Sequence, residues 1–234
     1  NAVLTVAGDF DAAEARRLIQ QYYGDIPRVA DAPAATCEMR FGTGARRLEV
    51  TDNNANLPAV ALVYKAPAVS HEDGPALELL TSILSDGESG RLNLRLVRGE
   101  RAAMASGGST DLRRRAGILS FFGLSNQGVE TARVERLLAE ELDRVRNDTI
   151  PQAELTKAQN QYRAGAIRQL QTGMGVASRL QNALWYLGSL EAANQVVQRH
   201  LAVTTADLRR VAQRYLAPEN RLTLIVNPPA RGGN

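Results

Sequence analysis

Histidine is nearly missing from this chain of 234 residues: His71 and His200 are the only two, and cysteine occurs once, as Cys37. Two imidazoles far apart in sequence, neither with a second His or a helix-spaced Glu nearby, are a poor donor set for a metal centre or for imidazole catalysis. A lone thiol forms no internal disulfide and reads as an inert small side chain. Aromatic residues make up 5% of the chain, too few for the stacking platforms that hold single-stranded nucleic acid. The basic runs Arg113-Arg114-Arg115 and Arg91 to Arg101 have no interleaved aromatics, and the net charge is only +3, so no nucleic-acid partner is expected. No segment approaches the ~20 apolar residues of a membrane span, and no charged start followed by an apolar stretch marks a signal peptide. A Gly-x-Ser-x-Gly elbow is absent, and Gly87-Glu88-Ser89-Gly90 lacks the Lys and Ser/Thr of a phosphate loop, which leaves it as a helix-opening turn.

What is present is ordinary globular material, 44% hydrophobic and 23% charged, enough for one large domain or one and a half. The run Ala2 to Ala7 reads as a strand with nothing before it. A strand needs a neighbour, so upstream sequence is expected. Asp11 and Glu14 read as an N-cap and capping-box partner for a helix reaching about Tyr23. Residues 1–26 are therefore expected to close a truncated preceding domain. Residues 27–44, with Pro27, Pro33 and Gly42, read as a linker, residues 45–228 as a second domain and residues 229–234 as a tail.

In that second domain, Arg47–Thr51 and Ala59–Ala66 read as strands. Ser70 is placed as the cap of a helix whose apolar positions Ala76, Leu77, Leu79, Leu80, Ile83 and Leu84 recur at helical spacing up to Gly87. A short helix over Arg91–Arg98 precedes two strand candidates, Ala102–Thr110 and Ile118–Ser125, that pair as a hairpin. The second of these is apolar enough for a central position. Four helical stretches follow, Glu130–Arg146, Pro151–Gln171, Val176–Leu187 and Ala192–Leu201, with Gly173-Met174-Gly175 as an interruption. Thr204 with Asp207 caps a last helix, and Arg221–Val226 closes the chain. This order predicts an α/β (α+β) sandwich: a largely antiparallel sheet covered on one face by helices, not a doubly wound fold. His71 falls in the opening turn of a helix. His200 falls in a last turn, where the carbonyls favour a partly positive ring.

Several segments, in this order and spacing, resemble the pitrilysin/insulinase family of zinc metallopeptidases, the inverzincins. They are residues 1–11, Tyr23-Gly24-Asp25-Ile26-Pro27, Leu84-Ser85-Asp86-Gly87-Glu88-Ser89-Gly90-Arg91-Leu92, Glu154 to Asn160, Val203 to Leu208 and Ala212 to Pro218. The resemblance implies one non-catalytic domain of a peptidase half, with the tail of the preceding domain attached. The family's zinc motif, His-x-x-Glu-His, does not occur in this sequence. The fragment alone is then expected to be inactive and free of cofactor, with zinc in the parent assembly. Non-catalytic halves of the family commonly hold substrate with an Arg and a Tyr seven residues apart. Those positions fall here at Val97 and Met104, and a one-residue shift brings in Arg98, but no tyrosine lies between Tyr64 and Tyr162.

The leading expectation is a wall of a peptide-degrading chamber, in contact with a missing N-terminal catalytic domain and a second peptidase-like half. The competing expectation is a non-enzymatic scaffold subunit of the same family. A third is a peptide-binding module whose Arg91, Arg98 and Arg101 attract acidic residues, which makes Arg98 and Arg101 the candidate substrate-binding residues. The resemblance and the Ala- and Arg-rich usage suggest a bacterial periplasmic or cell-envelope protein.

Overall fold

The computed structural model describes residues 2–27, 29–30 and 44–229. Most of the expected linker and tail, and Cys37, lie outside the described residues. Helix α1 (Ala12–Tyr23) begins as its sequence dictates: the Glu14 N–H donates to Asp11 Oδ1 at 2.7 Å. The Glu14 carboxylate does not return to the cap; it takes Arg17 instead, at 2.7 Å. No residue of α1 is buried. Residues Ala2–Ala7 form no strand, contrary to expectation. No strand runs beside them among the described residues, and unpaired backbone groups have no ladder to join.

The body is one five-stranded sheet under a helical layer. Strands β1 (Arg46–Thr51), β2 (Ala59–Ala66), β3 (Ala103–Asp111), β4 (Gly117–Ser125) and β5 (Arg221–Asn227) lie in the order β1-β5-β2-β4-β3. Only the β1–β5 pair is parallel. The register places Val60, Leu62, Tyr64 and Ala66 of β2 on the same face as Leu119 and Phe121 of β4 and Ile225 of β5. All seven are buried under α2 (Gly74–Ser85), α3 (Thr131–Asn147) and α7 (Thr205–Tyr215). The helices approach closely because this face carries Gly123: a Cβ there would stand 2.6 Å from Val134 Cγ1 of α3.

Helix α2 buries all six of its predicted apolar positions, but its start differs from the sequence reading. It begins at Gly74 with Pro75 in the first turn and Asp73 at the cap position, four-way held as described below. Ser70 stands in the turn before it. Gly87, at φ 64°, ends the break after α2. The short helix before β3 is a π-helix, Asn93–Gly99. Helix α4 (Gln152–Gln169) is followed by α5 (Gly173–Asn182), so Gly173 opens a helix and the break falls before it. Thr172 Oγ1 caps α5 by accepting the Gly175 N–H at 3.0 Å. Helix α5 runs into a second π-helical turn, Ala183–Leu187, before α6 (Ala192–Leu201). Thr204 and Asp207 make the full capping box of α7.

Candidate functional site

The Arg/Tyr positions of the resemblance lie where the first π-helix passes into β3. That passage is firmly held. Ala102 N–H donates to Leu96 O, Asn126 N–H donates to Ala102 O, each at 2.9 Å, and the Asn126 amide reaches Arg101 O at 3.3 Å. Arg101 has φ 50°, alone among the described non-glycine residues in the left-handed region. Such a conformation costs an L-residue about 1 kcal/mol and persists only where surrounding bonds impose it. Val97 packs against the core. Arg98 is exposed and ion-paired with Glu88. Met104 is 57% exposed at the bulge between Ala103 and Ala105 that opens β3. The Arg101 side chain is exposed.

Arg91 does not share this surface. Its guanidinium forks onto Glu154 of α4, at 2.8 and 3.0 Å, and stands 3.8 Å from the buried Glu141 of α3. The bond to Glu154 raises its pKa further. Arg95 pairs with Glu140 in the same network. These two arginines fasten the π-helix to the helical layer.

Of the two histidines, His200 is buried in the last turn of α6. Its Nδ1 donates to Val196 O at 2.8 Å, its Nε2 faces Glu78 Oε2 at 2.8 Å, and its ring stacks on Tyr162 with centroids 3.6 Å apart. His71 lies before α2, in a turn and not in a helix, where its Nδ1 accepts the Asp73 N–H at 3.1 Å. The Asp73 carboxylate, with no exposed surface, takes Arg210 at 2.6 Å, Tyr215 Oη at 2.8 Å and Arg214 at 3.2 Å. Burial alone would raise the Asp73 carboxyl, but the bonds from Tyr215 and Arg210 outweigh it and hold the group below the usual carboxylate range. Burial pushes the Tyr215 phenol up to about 12, with the Asp73 bond adding to it. Both histidines thus have protein partners. Among the described residues no three His, Cys, Asp or Glu side chains converge on one point. This donor set does not fit a zinc ion.

The sheet face opposite the helices is the remaining large feature. Ala61 and Val63 of β2, Leu222 and Leu224 of β5, and Ile118 and Phe122 of β4 share it by register, with Leu48 and Val50 of β1 beside β5. Neighbouring side chains half-cover the central positions, while Leu48 is 50% and Phe122 43% exposed. The sequence carried a signal for this face, because β2, β4 and β5 are apolar at successive positions and not only at alternate ones. No sequence signal joined Glu78, Tyr162 and His200.

A single antiparallel-rich sheet, with helices on one face and a mostly apolar face that no described helix covers, defines a two-layer α/β domain, and no catalytic donor set is found among the described residues. The family described as "Peptidase M16 inactive domain" matches residues 1–162. The chain belongs to that family, the one its sequence motifs resemble. It is 25% identical over 230 residues to the zinc protease PqqE of Helicobacter pylori, covering 97% of this chain and 52% of that protein. The crystal structure of a protease from Helicobacter pylori superposes with a TM-score of 0.86 at 25% identity, over 95% of this chain and 54% of that one. The peptidase M16 inactive domain from Pseudomonas fluorescens has the same fold, with a TM-score of 0.73 at 14% identity, over 97% of this chain and 53% of that one. The chain spans about half the length of these relatives. No helix among the described residues is long and apolar enough to cross a membrane.

Proposed function

We propose that this chain is the non-catalytic domain of a zinc metallopeptidase, and that its uncovered sheet face lines a peptide chamber and meets the zinc-bearing half. The observation that carries this reading is the apolar face itself. An exposed sheet surface with Leu48, Val50 and Phe122 on one side, against a sealed core on the other, is a surface built for cover. Membership of a family of inactive peptidase domains, and relatives of twice this length named as zinc proteases, support a catalytic half as that cover.

Peptide is the substrate class in this proposal. Arg98 and Arg101, displayed on a rigid link beside Met104, are its candidate contacts for acidic or C-terminal carboxylates. Zinc belongs to the other half. A bacterial periplasmic or cell-envelope location is part of the same proposal, and fractionation of the source cells checks it.

The test is a peptide-cleavage assay on the complete protein with its natural partners, with and without chelator. Metal-dependent cleavage that falls in a Phe122→Asp variant which stays folded at the assay temperature is the expected result. Absence of metal-dependent cleavage would overturn the peptidase reading and leave a scaffold subunit. Cleavage unaffected by Phe122→Asp would overturn the role of the sheet face.

A further inference from the structure

A cleft of about 290 Å³ opens on the helical side, between α2, α4, α6 and the second π-helical turn. Its walls are apolar where Pro75, Ala183, Leu187 and Val196 meet. The only carboxylate lining it is Glu78, already paired with His200 at 2.8 Å. Two guanidinium groups line it as well, Arg179 and Arg199. Arg179 donates to Ala193 O at 2.6 Å and Arg199 to His71 O at 3.3 Å, and neither has a carboxylate partner among the described residues. Both are half-buried. Arginines taken partly out of water are ordinarily matched by an anion, and here each meets a backbone carbonyl while the one carboxylate in the cleft, Glu78, is engaged by His200. The hydroxyl of Tyr162 makes no hydrogen bond with another described residue, and burial pushes it up to about 12, so it stays a donor across the physiological range.

The wall of the cleft is also where the helix departs from regular geometry. The π-helical turn Ala183–Leu187 turns Ala183, Tyr186 and Leu187 toward it. Such turns are uncommon and concentrate at functional positions. A partly apolar trough of this size, lined also by Tyr162 and by two arginines without a carboxylate partner among the described residues, is at the small end of ligand sites.

We propose that this cleft binds a small aliphatic carboxylic acid, its carboxylate held by Arg179 and Arg199 and its apolar body lying among Pro75, Ala183, Leu187 and Val196. The C-terminal residue of a peptide and a free acylated amino acid share this chemistry. The inference does not depend on the peptidase reading, because the cleft lies on the helical side of the sheet, away from the uncovered face.

The test is calorimetric titration of the protein with N-acetyl-leucine, with N-acetyl-leucinamide, and with a pentapeptide ending in a free Leu carboxylate. The acid is expected to bind saturably and the amide, of the same shape without the charge, at least about tenfold more weakly, the scale of a lost charge-assisted hydrogen bond. Tighter binding of the pentapeptide assigns the site to peptide ends, and equal or weaker binding assigns it to free acids. Arg199→Gln is expected to lower affinity for the acid by a similar factor. Val196→Phe, which fills the trough and leaves both arginines in place, should abolish binding at an unchanged melting temperature. Equal affinity for acid and amide, binding that survives Val196→Phe, or no saturable heat with any probe would overturn the proposal.

Discussion

The two faces of the sheet are made from the same strands and have opposite fates. On one, Val60, Leu62, Leu119 and Phe121 have less than 2% of their surface left exposed beneath the helices. On the other, Phe122, next in sequence to Phe121, is 43% exposed over Gly107, where a Cβ would stand 2.9 Å from its ring. A half-buried antiparallel sheet ordinarily alternates apolar and polar residues. On the face opposite the helices Arg46, Lys65, Ser109, Asp111 and Ser120 are outnumbered by the apolar residues of β1, β2, β4 and β5, more than a solvent face needs. The difference separates what this chain needs in order to fold from what it offers to a partner.

That separation has measurable consequences. The largest is a contrast between neighbours in urea unfolding. Phe121→Ala should cost about 3–5 kcal/mol, because it leaves a cavity in a packed core, whereas Phe122→Ala should cost about 1 kcal/mol or less. Comparable losses at both positions would mean that both faces are sealed in the folded chain.

Next in size is Asp73→Asn, expected to cost about 1–3 kcal/mol at neutral pH. The loss stays below that of a fully buried ion pair because Arg210 and Arg214 are 49% and 57% exposed and return to water. The folded-state pKa of Asp73 is depressed. Its contribution is therefore fully present above the unfolded value of about 3.9 and is lost as pH falls through the lower folded value. Melting curves of the two proteins should accordingly converge in strong acid and stay apart from about pH 5 upward. A constant gap down to strong acid would show that the carboxylate charge is not what Asp73 supplies.

A smaller effect is expected at Gly123, where alanine would ordinarily be neutral or favourable in a strand. The 2.6 Å approach of Val134 Cγ1 reverses the sign, giving a loss of about 1–2 kcal/mol from overpacking. The smallest effect on stability is expected for Phe122→Asp, about 1 kcal/mol in this chain alone, because the position is only partly covered. Its larger consequence should appear with the partner present.

Much of this architecture was legible in the residues. The helical period of α2, the Thr204–Asp207 box and the apolar strands are local patterns, and local patterns survive folding when tertiary contacts agree with them. Asp11 capped α1 as its spacing implied. The departures arise where distant residues decide. Asp73 rather than Ser70 marks the start of α2 because Arg210 and Tyr215, 137 and 142 residues away, hold its carboxylate. Ala2–Ala7 has the composition of a strand, but composition does not provide a neighbour. The two π-helical segments have no sequence signature, and the cleft that the second one lines depends on Glu78 meeting His200 across 122 residues. The positions Val97 and Met104 came from resemblance. The strained link at Arg101 between them is visible only in three dimensions.

In the proposed role the sheet face opposite the helices is an interface. Its most direct test places a photo-activatable cross-linking amino acid at position 122 in the complete protein and identifies the adducts by mass spectrometry. Adducts with the zinc-bearing half, or with a peptide captured between the halves, are the predicted result. Adducts confined to this chain's own helices, or none beyond solvent, would contradict it.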